Sequence, residues 1–74
     1  MKQWGQISDA LDNLEGGTYL HTAYDPDFIE DLKSEIPVGH RSWNADEKRW
    51  WISDRYAKKA IRIASGYFNL EYED

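Results

Sequence analysis

Two short tryptophan-bearing segments, Arg41-Ser42-Trp43-Asn44 and Arg49-Trp50-Trp51-Ile52, are separated by only Ala45-Asp46-Glu47-Lys48. Short runs rich in aromatic and β-branched residues favour strands, and a four-residue connection is a common hairpin length. This pairing sets Trp43 opposite Trp50 and Ser42 opposite Trp51. Successive side chains of a strand point to opposite faces. Trp43, Trp50 and Ile52 therefore share one face, and Ser42, Arg49 and Trp51 share the other. The first face needs cover, which the rest of the chain has to supply.

A chain of 74 residues makes one domain at most. Such a chain buries only about 60% of the surface its unfolded form exposes. No cysteine is present, so no disulfide can staple the fold, and thiol catalysis and thiolate metal sites are excluded. Four Trp, five Tyr and two Phe supply the core instead. Each aromatic side chain can bury roughly 150–250 Å². Trp43 and Trp50 are expected to be buried as a cross-strand pair against Phe28, Leu32 and Ile61.

The covering helices have clear signatures. Asp25-Pro26 places an N-cap acid before a proline at the first helical position. Phe28, Ile29, Leu32 and Ile36 then form an amphipathic stripe, which Pro37 and Gly39 end. A second helix is expected over about Arg55–Ser65, capped by Asp54 and stopped by Gly66. Its apolar face carries Tyr56, Ala57, Ala60, Ile61 and Ala64.

Thr18–Tyr24 follows Gly16-Gly17 and reads as a strand, and the hairpin strands are expected over His40–Asn44 and Arg49–Ser53. Phe68, Leu70 and Tyr72 alternate with polar residues, which predicts a closing strand or tail with an acidic end. Ile7, Leu11 and Leu14 are helically spaced, so residues 3–15 are expected to open the chain with a short helix. The fold class is α+β, with two helices packed on one face of a small, mostly antiparallel sheet. The expected order is helix, strand, helix, strand, strand, helix, strand, in a single domain 1–74. An N-terminal segment 1–17 opens it and an acidic strand or tail 66–74 closes it.

Charge is unevenly laid out along a chain of net −5. Residues 1–35 hold two bases against eight acids, and residues 66–74 hold three acids and no base. Residues 36–65 hold seven bases against three acids. A domain polarised in this way can meet a polyanion with one side, although charged residues are most often simply solvated. No segment approaches the roughly 20 apolar residues needed to span a bilayer, and Met1-Lys2-Gln3-Trp4-Gly5 lacks the apolar run of a secretory signal. A cytoplasmic setting without a membrane partner is expected.

Catalysis finds little support. The two histidines, His21 and His40, lie on separate expected strands, where ordinary structural roles are commoner than a metal site. HExxH, Gly-x-Ser-x-Gly, P-loop and GxGxxG patterns are all missing. The expectation is a non-enzymatic binding module without cofactor or metal.

Two candidate surfaces emerge. On the hairpin's outer face, Trp51 beside Arg49 suits base stacking or a protein hot spot if uncovered, and plain packing if the N-terminal segment covers it. On the second helix, Arg55, Lys58, Lys59 and Arg62 recur at i, i+3, i+4 and i+7, suited to phosphate contacts or to a solvated face. These surfaces look in different directions, and Arg41 and Lys48 near the hairpin's ends are placed to bridge them.

Tyr24 and Pro26-Asp27-Phe28 lead into the helix ending Leu32-Lys33. Arg41-x-Trp43-Asn44, a turn, Lys48-x-Trp50 and a closing helix follow. Over roughly residues 18–65 this pattern resembles the HARP domain, the HepA-related module of annealing helicases, and its short stand-alone relatives. Asn44 departs from the aspartate usual there. The resemblance implies a DNA-binding accessory domain for single-stranded or forked DNA, with Arg41, Lys48 and Arg49 toward phosphate. The alternative is a small acidic adaptor or inhibitor of phage or mobile-element type, whose anionic first half mimics DNA or fills a basic cleft. Its partner would be a larger DNA-processing or defence protein. A homo-oligomeric role through Trp51 and an uncovered sheet edge is a third expectation.

Overall fold

Asp25 starts the first helix, as its position before proline predicts. In the computed structural model, which describes residues 1–73, its carboxylate accepts from the backbone N–H groups of Asp27 and Phe28 at 3.0 and 3.3 Å. The helix α1 runs Pro26–Glu35 and stops at Ile36, whose extended backbone precedes Pro37. A residue before proline is pushed out of the helical region, which accounts for that stop. The second helix, α2, runs Asp54–Ser65. Here the expectation needs two corrections. Ser53, whose hydroxyl makes no capping hydrogen bond to the helix, holds the cap position, and Asp54 lies in the first turn. Gly66 follows with a φ of −76°, so this stop does not use glycine's left-handed region.

Five strands form one sheet: β1 Gln3–Asp9, β2 Thr18–Thr22, β3 Arg41–Asn44, β4 Arg49–Ile52 and β5 Phe68–Tyr72. Their order is β3-β4-β2-β1-β5, with only the β1–β5 pair parallel. The fold is α+β, and from residue 18 onward the element order is the one read from the sequence. The hairpin register also agrees, with Trp43 opposite Trp50 and Ser42 opposite Trp51.

Residues 3–9 correct the expected opening helix. They form β1, the strand between β2 and β5. Of the helically spaced trio, only Ile7 is buried, while Leu11 and Leu14 stand in solvent. Gly5 and Ile7 point to the helix side and alternate with Gln6 and Ser8. A strand is thus the conformation that buries Ile7 while both neighbouring strands bond its backbone.

Ile7, Leu20, Trp50, Ile52 and Phe68 of the sheet meet Phe28, Leu32 and Ile36 from α1 and its C-cap, and Ala60 and Ala64 of α2, in one core. Ile61 packs at its margin. Both helices lie on this face, and the two small alanines let α2 approach closely. Trp50 is 6% exposed, whereas its partner Trp43 is 50% exposed. The expectation of a fully buried pair is corrected on that point. Strand β3 is outermost in the sheet, so Trp43 has Trp50 on one side and no further strand on the other. No helix is long and apolar enough to cross a membrane among the described residues.

Candidate functional site

The hairpin turn sets up the most distinctive surface. Asn44 Oδ1 accepts from the backbone N–H groups of Asp46 and Glu47, both at 3.0 Å. Lys48 closes the turn with a φ of 55°. The Lys48 carbonyl lies 2.7 Å from His21 Nδ1. A carbonyl oxygen can only accept, so Nδ1 carries the proton and ties the hairpin tip to the end of β2.

Between this tip and the start of α1 lies a cavity of about 540 Å³. Trp43, Trp50, Ala45 and Lys48 line it from the hairpin, Tyr24 and Ile29 from α1 and its approach, and Trp4 and His21 from the neighbouring strands. A smaller adjoining cavity of about 300 Å³ shares Tyr24, Ile29, Trp43 and Trp50 and adds Lys33. Together they make an aromatic groove between strand β3 and helix α1. The Trp43 and Trp50 rings lie 5.4 Å apart and tilted, which leaves the outer part of the Trp43 indole bare. Arg41, two residues from Trp43 and so on the same face of β3, donates from Nε to the Ile36 carbonyl at 2.9 Å. That bond joins the edge strand to the end of α1.

The sheet's other face holds the expected Arg49–Trp51 pair, and here the two alternatives for Trp51 resolve. Trp51 is half-buried, and its indole N–H donates to the Gly16 carbonyl at 2.7 Å. Gly17 has a φ of +100°, and a Cβ there would lie 2.4 Å from the Ile52 carbonyl oxygen and 2.6 Å from Trp51 Nε1. Only glycine lets the N-terminal loop lie this close over Trp51. Arg49 is also engaged. Its guanidinium lies 3.6 Å from the Tyr19 ring centre and 3.3 Å from the Glu47 carboxylate. Tyr19 donates to Asp12 at 2.8 Å. That bond holds the Asp12 carboxyl below its ordinary range, aided by a backbone hydrogen bond and the Arg49 charge. The same bond pushes the Tyr19 hydroxyl up.

Arg55, Lys58, Lys59 and Arg62 are exposed on the outer face of α2. Lys59 pairs with Glu35 of α1 at 3.4 Å. The eight expected site residues therefore do not converge. Lys48 lines the groove, Arg41 lies two residues from Trp43 on the same face of β3, Arg49 and Trp51 pack under the N-terminal loop, and the other four face away on α2. His40 bonds Ser53 Oγ at 2.8 Å through Nδ1, and among the described residues no cluster of three or more His, Asp or Glu is placed to hold a metal ion.

The sequence places Trp43 in the core and Ile29 on the apolar stripe of α1, and it gives Tyr24 and Lys33 no binding role. One signal pointed toward the groove: β3 carries a single large apolar residue on its inner face, whereas β4 carries Trp50 and Ile52, as suits an edge strand beside an inner one. Comparison of the chain with protein-family models, curated proteins and solved structures returns no match.

Proposed function

We propose that the chain is a non-catalytic protein-binding module that holds a segment of a partner in the groove between β3 and α1. The observation that carries this reading is Trp43, half bare on an edge strand above an aromatic floor. Covering the exposed half of an indole removes on the order of 100 Å² from water, worth about 2–3 kcal/mol. Tryptophan in such a setting is the residue type that most often dominates an interface.

The test is selection from a displayed library of random peptides, followed by binding measurements on variants. Selected peptides should lose at least about tenfold in affinity with Trp43→Ala and with Ile29→Ser, a loss of about 1.4 kcal/mol or more. Arg49→Ala should leave them unaffected. A library that yields only binders indifferent to Trp43 would remove the reading.

One observation favours a second reading, in which the chain engages nucleic acid as its resemblance to the HARP domain implies. Arg55, Lys58 and Arg62 stand exposed in a row on α2, and none takes part in an ion pair among the described residues. The groove reading is preferred because Trp51, the expected stacking residue, is already hydrogen-bonded beneath the Gly16–Gly17 turn.

A further inference from the structure

We infer that the groove takes its partner by strand addition to the free edge of β3, and that the partner is an extended acidic segment with one bulky apolar anchor. This inference rests on the groove being the binding site and adds how the partner is held and what it must contain.

The backbone shows which groups of the edge are free. The Ser53 N–H donates to the His40 carbonyl at 3.0 Å, directly across from it just before β3 and after β4. Along an antiparallel ladder, hydrogen-bonded and non-hydrogen-bonded pairs alternate. The Arg41–Ile52 and Trp43–Trp50 pairs are therefore non-hydrogen-bonded, and Ser42 and Asn44 make the bonds to β4. The N–H and C=O groups of Arg41 and Trp43 consequently point outward from the sheet. Among the described residues no backbone hydrogen bond outside the strands uses either residue. An unpaired edge of this kind is a template for another strand.

Side-chain order follows from the same alternation. A residue of the added strand that bonds Trp43 puts its side chain on Trp43's face, at the mouth of the groove. Directly opposed side chains have Cβ atoms about 4.5–5.5 Å apart. An apolar or aromatic anchor at that position covers the bare indole. The added strand's residue two positions away lies opposite Arg41, beside its guanidinium. The intervening residue faces the polar side of Ser42 and Asn44.

Charge selects the partner's sign. Lys33 and Lys48 line the groove, Arg41 lies two residues from Trp43 on the same face of β3, and none of the three forms an ion pair among the described residues. The acids of α1 are engaged elsewhere or face outward. Glu35 pairs with Lys59, Asp31 accepts from Tyr67, and Asp25 caps the helix. Asp27 and Glu30 are exposed, and neither lines the two cavities. An acidic residue two positions from the anchor lies opposite Arg41, and acids on the anchor's other side lie toward Lys48 at the hairpin tip.

The experiment uses the full chain and a labelled synthetic peptide of alternating glutamate and valine with a phenylalanine anchor two residues from a glutamate. Its comparison peptides are a lysine-for-glutamate version and two versions N-methylated on alternate backbone amides, one set in each register. The acidic peptide should bind at least about tenfold tighter than the lysine peptide, and Lys33→Glu with Lys48→Glu should reverse that order. One N-methylated register should bind at least about tenfold weaker, and the other should bind like the parent. Amide chemical-shift changes should centre on residues 41–44 and the Ile29–Lys33 flank. If both N-methylated registers bind equally while Trp43→Ala still abolishes binding, strand addition is overturned and the groove reading stands. If Trp43→Ala has no effect on any peptide, the groove reading itself falls. A self-associated chain that the acidic peptide does not disperse would show a second copy on the edge and would also overturn the inference.

Discussion

The two members of the Trp43–Trp50 pair should behave very differently when truncated. Trp50 is buried in the core, so Trp50→Ala should cost about 3–5 kcal/mol in denaturant unfolding. A domain this small has little stability to lose, and most molecules should unfold. Trp43 is half exposed, and Trp43→Ala should cost only about 1–2 kcal/mol and leave a folded protein without its groove wall. Equal losses for the two would mean that the indole of Trp43 is as enclosed as that of Trp50. A second residue-scale prediction concerns pH. Tyr67 donates its hydroxyl to Asp31, and this bond pushes its pKa up to about 12, with burial and the charges of Asp31, Asp27 and Asp25 adding to the effect. A raised folded-state pKa stabilises fully below the unfolded value and is lost as pH climbs through the folded one. The stability difference between the wild type and Tyr67→Phe should be constant below pH about 10 and shrink between about 10 and about 12. Asp12 has the opposite sign: its lowered pKa makes the Tyr19–Asp12 bond count above the ordinary carboxyl range and fade as pH falls through the folded value. A Tyr67→Phe difference that stays flat through the alkaline range would contradict the first of these.

At the scale of elements, local signals located α1, the hairpin and α2 because each is written in neighbouring residues. Asp25-Pro26 and Pro37 bracket α1, and the Trp43–Trp50 register follows from the four-residue turn. The strand β1 was hidden because what makes it a strand is far away. Its inner face is Gly5 and Ile7, so half of its apolar alternation is missing. Glycine stands there because β5 crosses closely: a Cβ on Gly5 would lie 2.8 Å from Leu70 Cδ2 and 3.0 Å from Phe68 Cβ. Nothing near residue 5 announces a parallel partner at residues 68–72. The groove was hidden for a related reason. Alternation puts Trp43 on the inner face correctly, but whether that face is covered depends on β3 being outermost, and strand order is not a local property. Trp51 likewise lay on the expected face, and its cover came from the Gly16–Gly17 turn, 35 residues away in sequence from Trp51 to Gly16. These close approaches yield a prediction. Gly5→Ala should cost about 1–3 kcal/mol by forcing β5 outward. Hydrogen exchange should locate the damage, with the β5 amides and the Glu73 N–H, which bonds the Ile7 carbonyl, exchanging faster. The β3–β4 amides should stay protected to the extent that global unfolding allows. Uniform acceleration across the sheet would instead mean that β5 is not a separable edge.

Across the whole molecule, the charge layout decides how a polyanion could bind if one does. The net charge is −5, and the exposed cations not already paired lie mainly on the outer face of α2, at Arg55, Lys58 and Arg62. The acids of α1 lie alongside, as the Lys59–Glu35 pair shows. The net negative charge of the chain opposes any phosphate that approaches. Few phosphates can be neutralised at once, so binding should be weak. Its logarithm should fall against the logarithm of salt concentration with a slope of only about −2 to −4, against roughly −0.9 per phosphate on duplex DNA. Lys58→Glu with Arg62→Glu should abolish such binding with little change in melting temperature, because both side chains are exposed. Arg49→Ala with Trp51→Ala should do the reverse. It removes the hydrogen bond to Gly16 and the contact with Tyr19, so it lowers the melting temperature while leaving DNA affinity in place. The measurement is a titration of single-stranded, duplex and forked DNA at several salt concentrations for the wild type and both double variants. DNA binding that survives Lys58→Glu with Arg62→Glu but disappears with Trp43→Ala would place nucleic acid in the β3–α1 groove and displace the protein-binding reading.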